Sequence, residues 1–183
     1  MGLGIVDELK KEYDIEDTWL GLEIHPETPL EGINLNDKFG EINLKKMKDN
    51  LEHSGSKYNI TFGHLNHMPN SHNSLEAAEY ARSIGKFDEY HRGLMSAYFR
   101  DSKNIGDINV LKGIGSKIGL ESKKLHKAIE ERKFVNNLNE YSQLAHSMNI
   151  NSTPTFIINN EHIIVGAQPI DVFKKLFDKI MVG

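Results

Sequence analysis

Cysteine is absent from the 183 residues. That excludes disulfide cross-links, a thiolate nucleophile and zinc–thiolate sites from this chain. A dominant charge sign is also lacking: 22 Lys and Arg against 26 Asp and Glu leave a formal net charge of -4, with no basic stripe. Nucleic acid is therefore not an expected partner. No apolar run approaches the roughly 20 residues a membrane-spanning helix needs, so no membrane partner is expected either. The opening MGLGIVDELKKEY has no basic leader, long apolar stretch or cleavage site. A cytoplasmic location follows as an expectation, and the Asn-x-Thr sequons at Asn59 and Asn151 then read as chance. Repeats, low-complexity tracts and Gly/Ser/Pro-rich linkers are missing. One well-filled core is expected, with room for a smaller subdomain.

What the chain does contain changes character along its length. Ile5, Val6, Leu9 and Tyr13 fall at helical spacing, and Thr18–Ile24 alternates weakly like a strand before His25-Pro26. NLKKMKDNLEHSG reads as a helix capped by Asn43 and ended by Gly55, and YNITFG as a short strand or an extended connection. From Asn73 to Met148 the pattern is almost wholly helical, broken at Gly85 and Gly119. Tyr80, Phe87, Tyr90, Tyr98 and Phe99 there read as core. TFIIN and HIIVG are short β-branched runs around Asn159-Asn160-Glu161, a hairpin signal. PIDVFKKLFDKIM closes the chain as an amphipathic helix with Pro169 in its first turn. Strands at both ends of a helical block predict an α/β domain carrying a helical insertion.

Several motifs invite chemistry and do not carry it. His64, His67 and His72 lack the i, i+4 spacing with a nearby acid that marks a zinc helix, so they read as solvated loop histidines and no metal site is expected. GIGSKIG follows a helical pattern rather than a strand, which argues against dinucleotide binding. Glu130–Glu131 and Asp88–Glu89 are adjacent helix positions that diverge, and ESKKLHK and EERK read as solvated faces.

The informative stretch is NSTPTFIINNEHIIVGAQP, Asn151 to Pro169. A proline opening a strand has no ladder donor to lose there. It can be an ordinary trans proline, or a cis bond that turns the backbone of Thr153 outward to pair with an extended peptide.

STPTFIINNEHIIVGAQPIDVFKKLF closely resembles the end of DsbA-like thioredoxin-fold proteins, particularly the cytoplasmic FrnE-like branch of dithiol-disulfide isomerases. FDEYHRGLMSAYFRDSKNIGDINVLKGIGSKIGL is similar to that branch's helical insertion, and WLGLEIHPETPLEG to its second strand and loop. The resemblance implies a thioredoxin-like α/β fold: an N-terminal part over 1–65, a helical insertion over 66–148 and a C-terminal part over 149–183. It also implies a cis bond at Thr153-Pro154, with both residues binding substrate, an extended peptide or a thiol-containing protein.

The family's Cys-x-x-Cys sits at the N-terminus of the first helix, where the helix dipole lowers a thiolate pKa. Here the chain opens on Met1-Gly2-Leu3-Gly4, which looks like the helix just after that motif, with the first β-strand missing. No catalytic residue is expected, and thiol–disulfide exchange by this chain is not expected. The resemblance further implies a gap in the sheet between Thr18–Ile24 and Thr155–Asn159. The two halves would pair directly, Tyr58–Phe62 would fill in, or the chain would self-associate through the gap. Two alternatives share this architecture: the 2-hydroxychromene-2-carboxylate isomerases and kappa-class glutathione transferases, which bind glutathione, and a non-catalytic peptide-binding module. The disulfide branch itself implies no cofactor.

Overall fold

A computed structural model describes residues 1–182. The chain begins with α1 (Gly2–Leu9), whose Gly2, Ile5, Val6 and Leu9 form one buried stripe. A small ladder follows, β1 (Ile33–Asn34) antiparallel to β2 (His67–Met68). Between them lie the short α2 (Leu35–Phe39) and the longer α3 (Glu41–Ser56). Asn34 caps α2, its side chain accepting the Asn36 N–H. α3 starts at Glu41 after Gly40, and the Asn43 side chain donates back to the Phe39 carbonyl, so Asn43 is not the cap that its sequence position suggested.

The helical block comprises α4 (His72–Ser83), α5 (Phe87–Met95), α6 (Ile108–Lys117), α7 (Ser122–Glu130) and α8 (Val135–Ser147). Gly85 and Gly119 take φ of 70° and 82°, left-handed positions that end α4 and α6 at little steric cost. One buried cluster runs through the block from Ala77 to Phe134, with Tyr90, Leu111 and Leu125 fully enclosed and Phe87 and Tyr98 packed against it. Phe99 instead meets Phe62 edge-on at 6.0 Å. It belongs to a π-helical turn, Ser96–Arg100, that continues α5. The Phe99 carbonyl lies in the last turn, where it has no intrahelical donor, and accepts the Gly63 N–H at 2.7 Å. Gly63 is required there, because a Cβ would lie 2.3 Å from the Arg100 carbonyl oxygen.

β3 (Thr155–Ile158) and β4 (His162–Val165) form a hairpin. Asn159 and Asn160 both have positive φ, the signature of a type I′ turn, and Glu161 donates its N–H to Ile158 at 3.1 Å. α9 (Ile170–Val182) ends the described chain. A second buried cluster joins Ile5 and Leu9 of α1, Ile164 of β4 and Phe173 of α9, flanked by Phe156, Ile158 and Phe177. The other face of the hairpin is bare: Ile157, Ile163 and Val165 are 37%, 46% and 51% exposed.

Thr18–Ile24 is not a strand. Among the described residues, Asp14 to Glu23 donate or accept no backbone–backbone hydrogen bond. The alternation is there, but a strand needs a neighbour to complete its ladder. Tyr58–Phe62 is not a strand either, and does not fill the expected gap. α1 packs onto α9, tied at the surface by Tyr13 donating to Asp178 at 2.7 Å and Lys174 to Glu12 at 2.5 Å. The Arg92 guanidinium clasps the Asp7 carboxylate in a two-pronged pair, at 2.6 and 2.9 Å, linking α1 to the block.

Candidate functional site

The first turn of α1 lies against the start of β3. A Cβ placed on Gly2 would be 3.2 Å from Pro154 Cβ and 3.3 Å from the Trp19 ring. Three segments far apart in sequence therefore meet at one point, where a side chain would fit only tightly. The Thr153–Pro154 peptide bond is cis. Gly166 donates its N–H to the Pro154 carbonyl at 2.8 Å, and the Thr155 hydroxyl donates to the Ser152 carbonyl at 2.8 Å. These bonds fix the backbone on both sides of Thr153. Thr153 itself is exposed, and among the described residues its N–H and C=O have no backbone partner. The first-turn N–H groups of α1 also lack helical acceptors, as in any helix, and present a partial positive charge there. No Cys, Ser or Thr stands in that turn.

Trp19 is held from several directions. Its Nε1–H donates to Asp17, whose carboxylate also pairs with Lys10. Its carbonyl accepts from the Arg82 guanidinium. Arg82 in turn lies over the Phe87 ring at 3.7 Å and donates to Glu79 at 3.1 Å. The Trp19 ring meets His91 at 5.1 Å between centroids, and His91 meets Phe87 at 5.3 Å. Burial pushes the His91 pKa down to about 4; Arg92 and Arg82 add to the shift, while Asp88 and Asp17 oppose it. The ring is neutral at physiological pH.

The contacts of Trp19 with Arg82 and His91 escape a reading of periodicity, because side chains from positions 19, 82, 87 and 91 meet only when α4 and α5 are packed. The single Trp of the chain was the available signal. Two depressions flank the contact rather than coincide with it. One, about 220 Å3, is lined by residues including Trp19, Arg82, Phe87 and Asp88. The other, about 280 Å3, lies by Tyr58, Ile170 and Lys174. The Thr153 surface is open to solvent.

The histidines expected as a solvated loop group disperse. His64 is exposed, while His67 lies in β2 with its Nε2 buried and unpartnered. His72 starts α4, half-buried between Glu23 at 3.2 Å and Glu76 at 2.9 Å. Glu76 is wholly buried and also receives Arg132 at 3.0 Å, so Arg132 of the EERK run pairs with a buried carboxylate while about half of its side chain stays exposed. Glu79, 2% exposed, accepts from Arg82, Asn137 and Tyr141. Among the described residues, no group of three or more His, Cys, Asp or Glu is arranged to hold a metal ion, and no helix is long and apolar enough to cross a membrane.

The chain is similar to known proteins along nearly its whole length. The solved structure of a probable DsbA oxidoreductase from Streptomyces coelicolor superposes with a TM-score of 0.88 at 14% identity, over 97% of this chain and 82% of that one. The uncharacterized protein YwbO of Bacillus subtilis (strain 168) is 26% identical over 180 residues, 96% of this chain and 87% of the relative. The family model described as DSBA-like thioredoxin domain matches residues 2–178. The fold is thus the DsbA-like thioredoxin fold, and the chain belongs to the DSBA-like thioredoxin domain family.

Proposed function

We propose that this chain holds an extended peptide by its backbone at Thr153, on the exposed surface beside the contact of Pro154, Gly2 and Trp19. The observation that carries the reading is Thr153 itself: exposed, fixed by bonds on either side, with a free N–H and C=O beside a helix N-terminus. A backbone pair in that position supplies affinity without demanding a particular side chain. In a relative with Cys-x-x-Cys at the first helix, the same contact would present a substrate disulfide to a thiolate. The 183 residues hold no sulfur nucleophile, so on their own they bind without exchanging disulfides.

Residues 1–65 and 149–183 form the peptide-binding part in this reading, and 66–148 the helical insertion. The FrnE-like branch, its isomerase chemistry and a cytoplasmic setting rest on the sequence resemblance. No cofactor is needed; glutathione belongs to the isomerase and transferase alternative. Self-association is part of the same proposal, supported by the unpaired backbone of 14–23 and the bare hairpin face.

Backbone NMR with a blocked extended peptide of five or six residues tests the reading. Shifts should concentrate at Thr153, Gly2–Gly4 and the Trp19 indole, and an insulin-reduction assay should stay blank. Shifts confined to the β1–β2 ladder, or turnover of insulin, would sink it.

A further inference from the structure

The hairpin has two outer edges, and the bonds within it show which backbone groups face them. β3 and β4 pair antiparallel, with Thr155 opposite Val165 and Ile157 opposite Ile163. One register step earlier, Gly166 donates its N–H to the Pro154 carbonyl at 2.8 Å. Bonded and unbonded pairs alternate along an antiparallel ladder. The bonded pairs are therefore Pro154–Gly166, Phe156–Ile164 and Ile158–His162. The N–H and C=O of Ile163 and Val165 point the other way, along the free edge of β4. The same two residues carry the bare side chains of the hairpin, 46% and 51% exposed. Sheet edges are commonly guarded by a lysine or a proline. β4 reads His-Ile-Ile-Val and has neither.

We propose that β4 is a dimerisation edge, pairing antiparallel with β4 of a second copy of this chain about a two-fold axis at Ile163. This rests on the self-association named above and supplies its surface, its partner and its register.

The backbone groups left free match a copy of themselves. With the axis at Ile163, each Ile163 gives one bond to the other and takes one back, as the pairing of identical surfaces requires. The next outward pair sets Val165 against the second copy's Glu161. Half of that pair is already satisfied within the chain: the Glu161 N–H donates to Ile158 at 3.1 Å, and the Val165 carbonyl accepts from Gln168 Nε2 at 2.9 Å. What remains is the Val165 N–H and the Glu161 carbonyl, a donor and an acceptor for one another. The ladder then ends, because Gly166 turns the chain away at a φ of 80°. A longer foreign strand running past Val165 would meet that turn and the Gln168 amide. A second β4 stops where this one does.

The side chains agree with the same register. On the bare face, Ile157 and Ile163 of both copies form one apolar row across four strands, where each chain alone has a two-stranded ladder. Glu161 lies opposite Val165 rather than its own copy, so no like carboxylates are set against each other.

Because the chain has no cysteine, single-cysteine variants report proximity without background. About the proposed axis the two Ile163 Cα atoms lie about 5.5 Å apart, within disulfide reach, and the two Val165 Cα atoms about 13 Å apart along the strands. Under mild oxidation I163C should form a covalent dimer at least about tenfold faster than V165C or I157C. A ladder this short is a small interface, so association should appear between about 20 µM and about 1 mM. Over that range sedimentation should show a rising mass in the wild type. Hydrogen exchange should slow at the Ile163 and Val165 amides and stay unchanged at Thr155 and Ile157, which face the other edge.

Equal cross-linking of I163C and V165C overturns the register and with it the inference. A rising mass with protection at Thr155 and Ile157 instead overturns the β4 surface while self-association stands. A wild type that remains monomeric at about 1 mM overturns this inference and self-association together, and leaves peptide binding at Thr153 untouched.

Discussion

At the scale of single residues, the contact between His91 and Trp19 couples one titration to one chromophore. A protonated imidazole quenches a neighbouring indole, so Trp19 emission should fall with a midpoint near pH 4, where burial has moved His91 from its ordinary 6.5. The same shift has a stability consequence. Between those two values the unfolded chain binds more protons at this position than the folded one, so stability falls as pH drops. The contribution of His91 is complete above about 6.5 and is progressively lost toward 4. Urea melts of the wild type and H91Q across that window should converge in pH dependence at the acid end; parallel curves would show that the ring titrates normally. Glu76 makes a second case. It is wholly buried, yet both side chains paired with it reach solvent, with Arg132 53% and His72 18% exposed at the side chain. Glu76→Ala thus strands no buried charge, but leaves a cavity and a Phe134 N–H without its acceptor, and should cost about 2 kcal/mol in urea unfolding. A loss above about 4 kcal/mol would mean that the partners are trapped after all. Nothing in the local sequence marks Glu76 or Glu79 as buried, since only the packed block shows that α7 and α8 close over that face of α4.

Among the elements, those with a local cause were legible. The hairpin was readable because its alternation and its Asn-Asn turn act over neighbouring residues, and the helix stops at Gly85 and Gly119 for the same reason. Asn160 sits at a φ of 58°, which Asn tolerates and Gly adopts freely. Asn160→Gly should leave thermal stability about where it is, whereas Asn160→Val should lower it by about 1–2 kcal/mol, through a β-branched residue forced into the left-handed region. An equal effect of both changes would remove the turn from the account. Thr18–Ile24 failed as a strand for a non-local reason: its pattern was right, but no ladder partner stands beside it. The π turn at Ser96–Arg100 was invisible for a similar reason, since its Phe99 carbonyl is paired with Gly63, 36 residues away in sequence.

For the molecule as a whole, the exposed hairpin face and the unpaired 14–23 backbone bear on association. Ile163 and Val165 project from the side of β4 opposite the cluster with α1 and α9. I163K with V165K should therefore lower the apparent mass in light scattering at high concentration while leaving the melt nearly unchanged. A wild type that stays monomeric throughout would remove self-association from the proposal. The sequence by itself determined the absence of cysteine, the helix-rich α/β composition and the motif around Thr153-Pro154, because these are properties of residues and their near neighbours. Only the tertiary structure decided that Gly2, Trp19 and Pro154 share one contact, that Arg82 and His91 stand behind the indole, and that two carboxylates lie buried in α4. Each of these joins positions tens of residues apart, and their meeting is fixed by how helices pack rather than by any local preference.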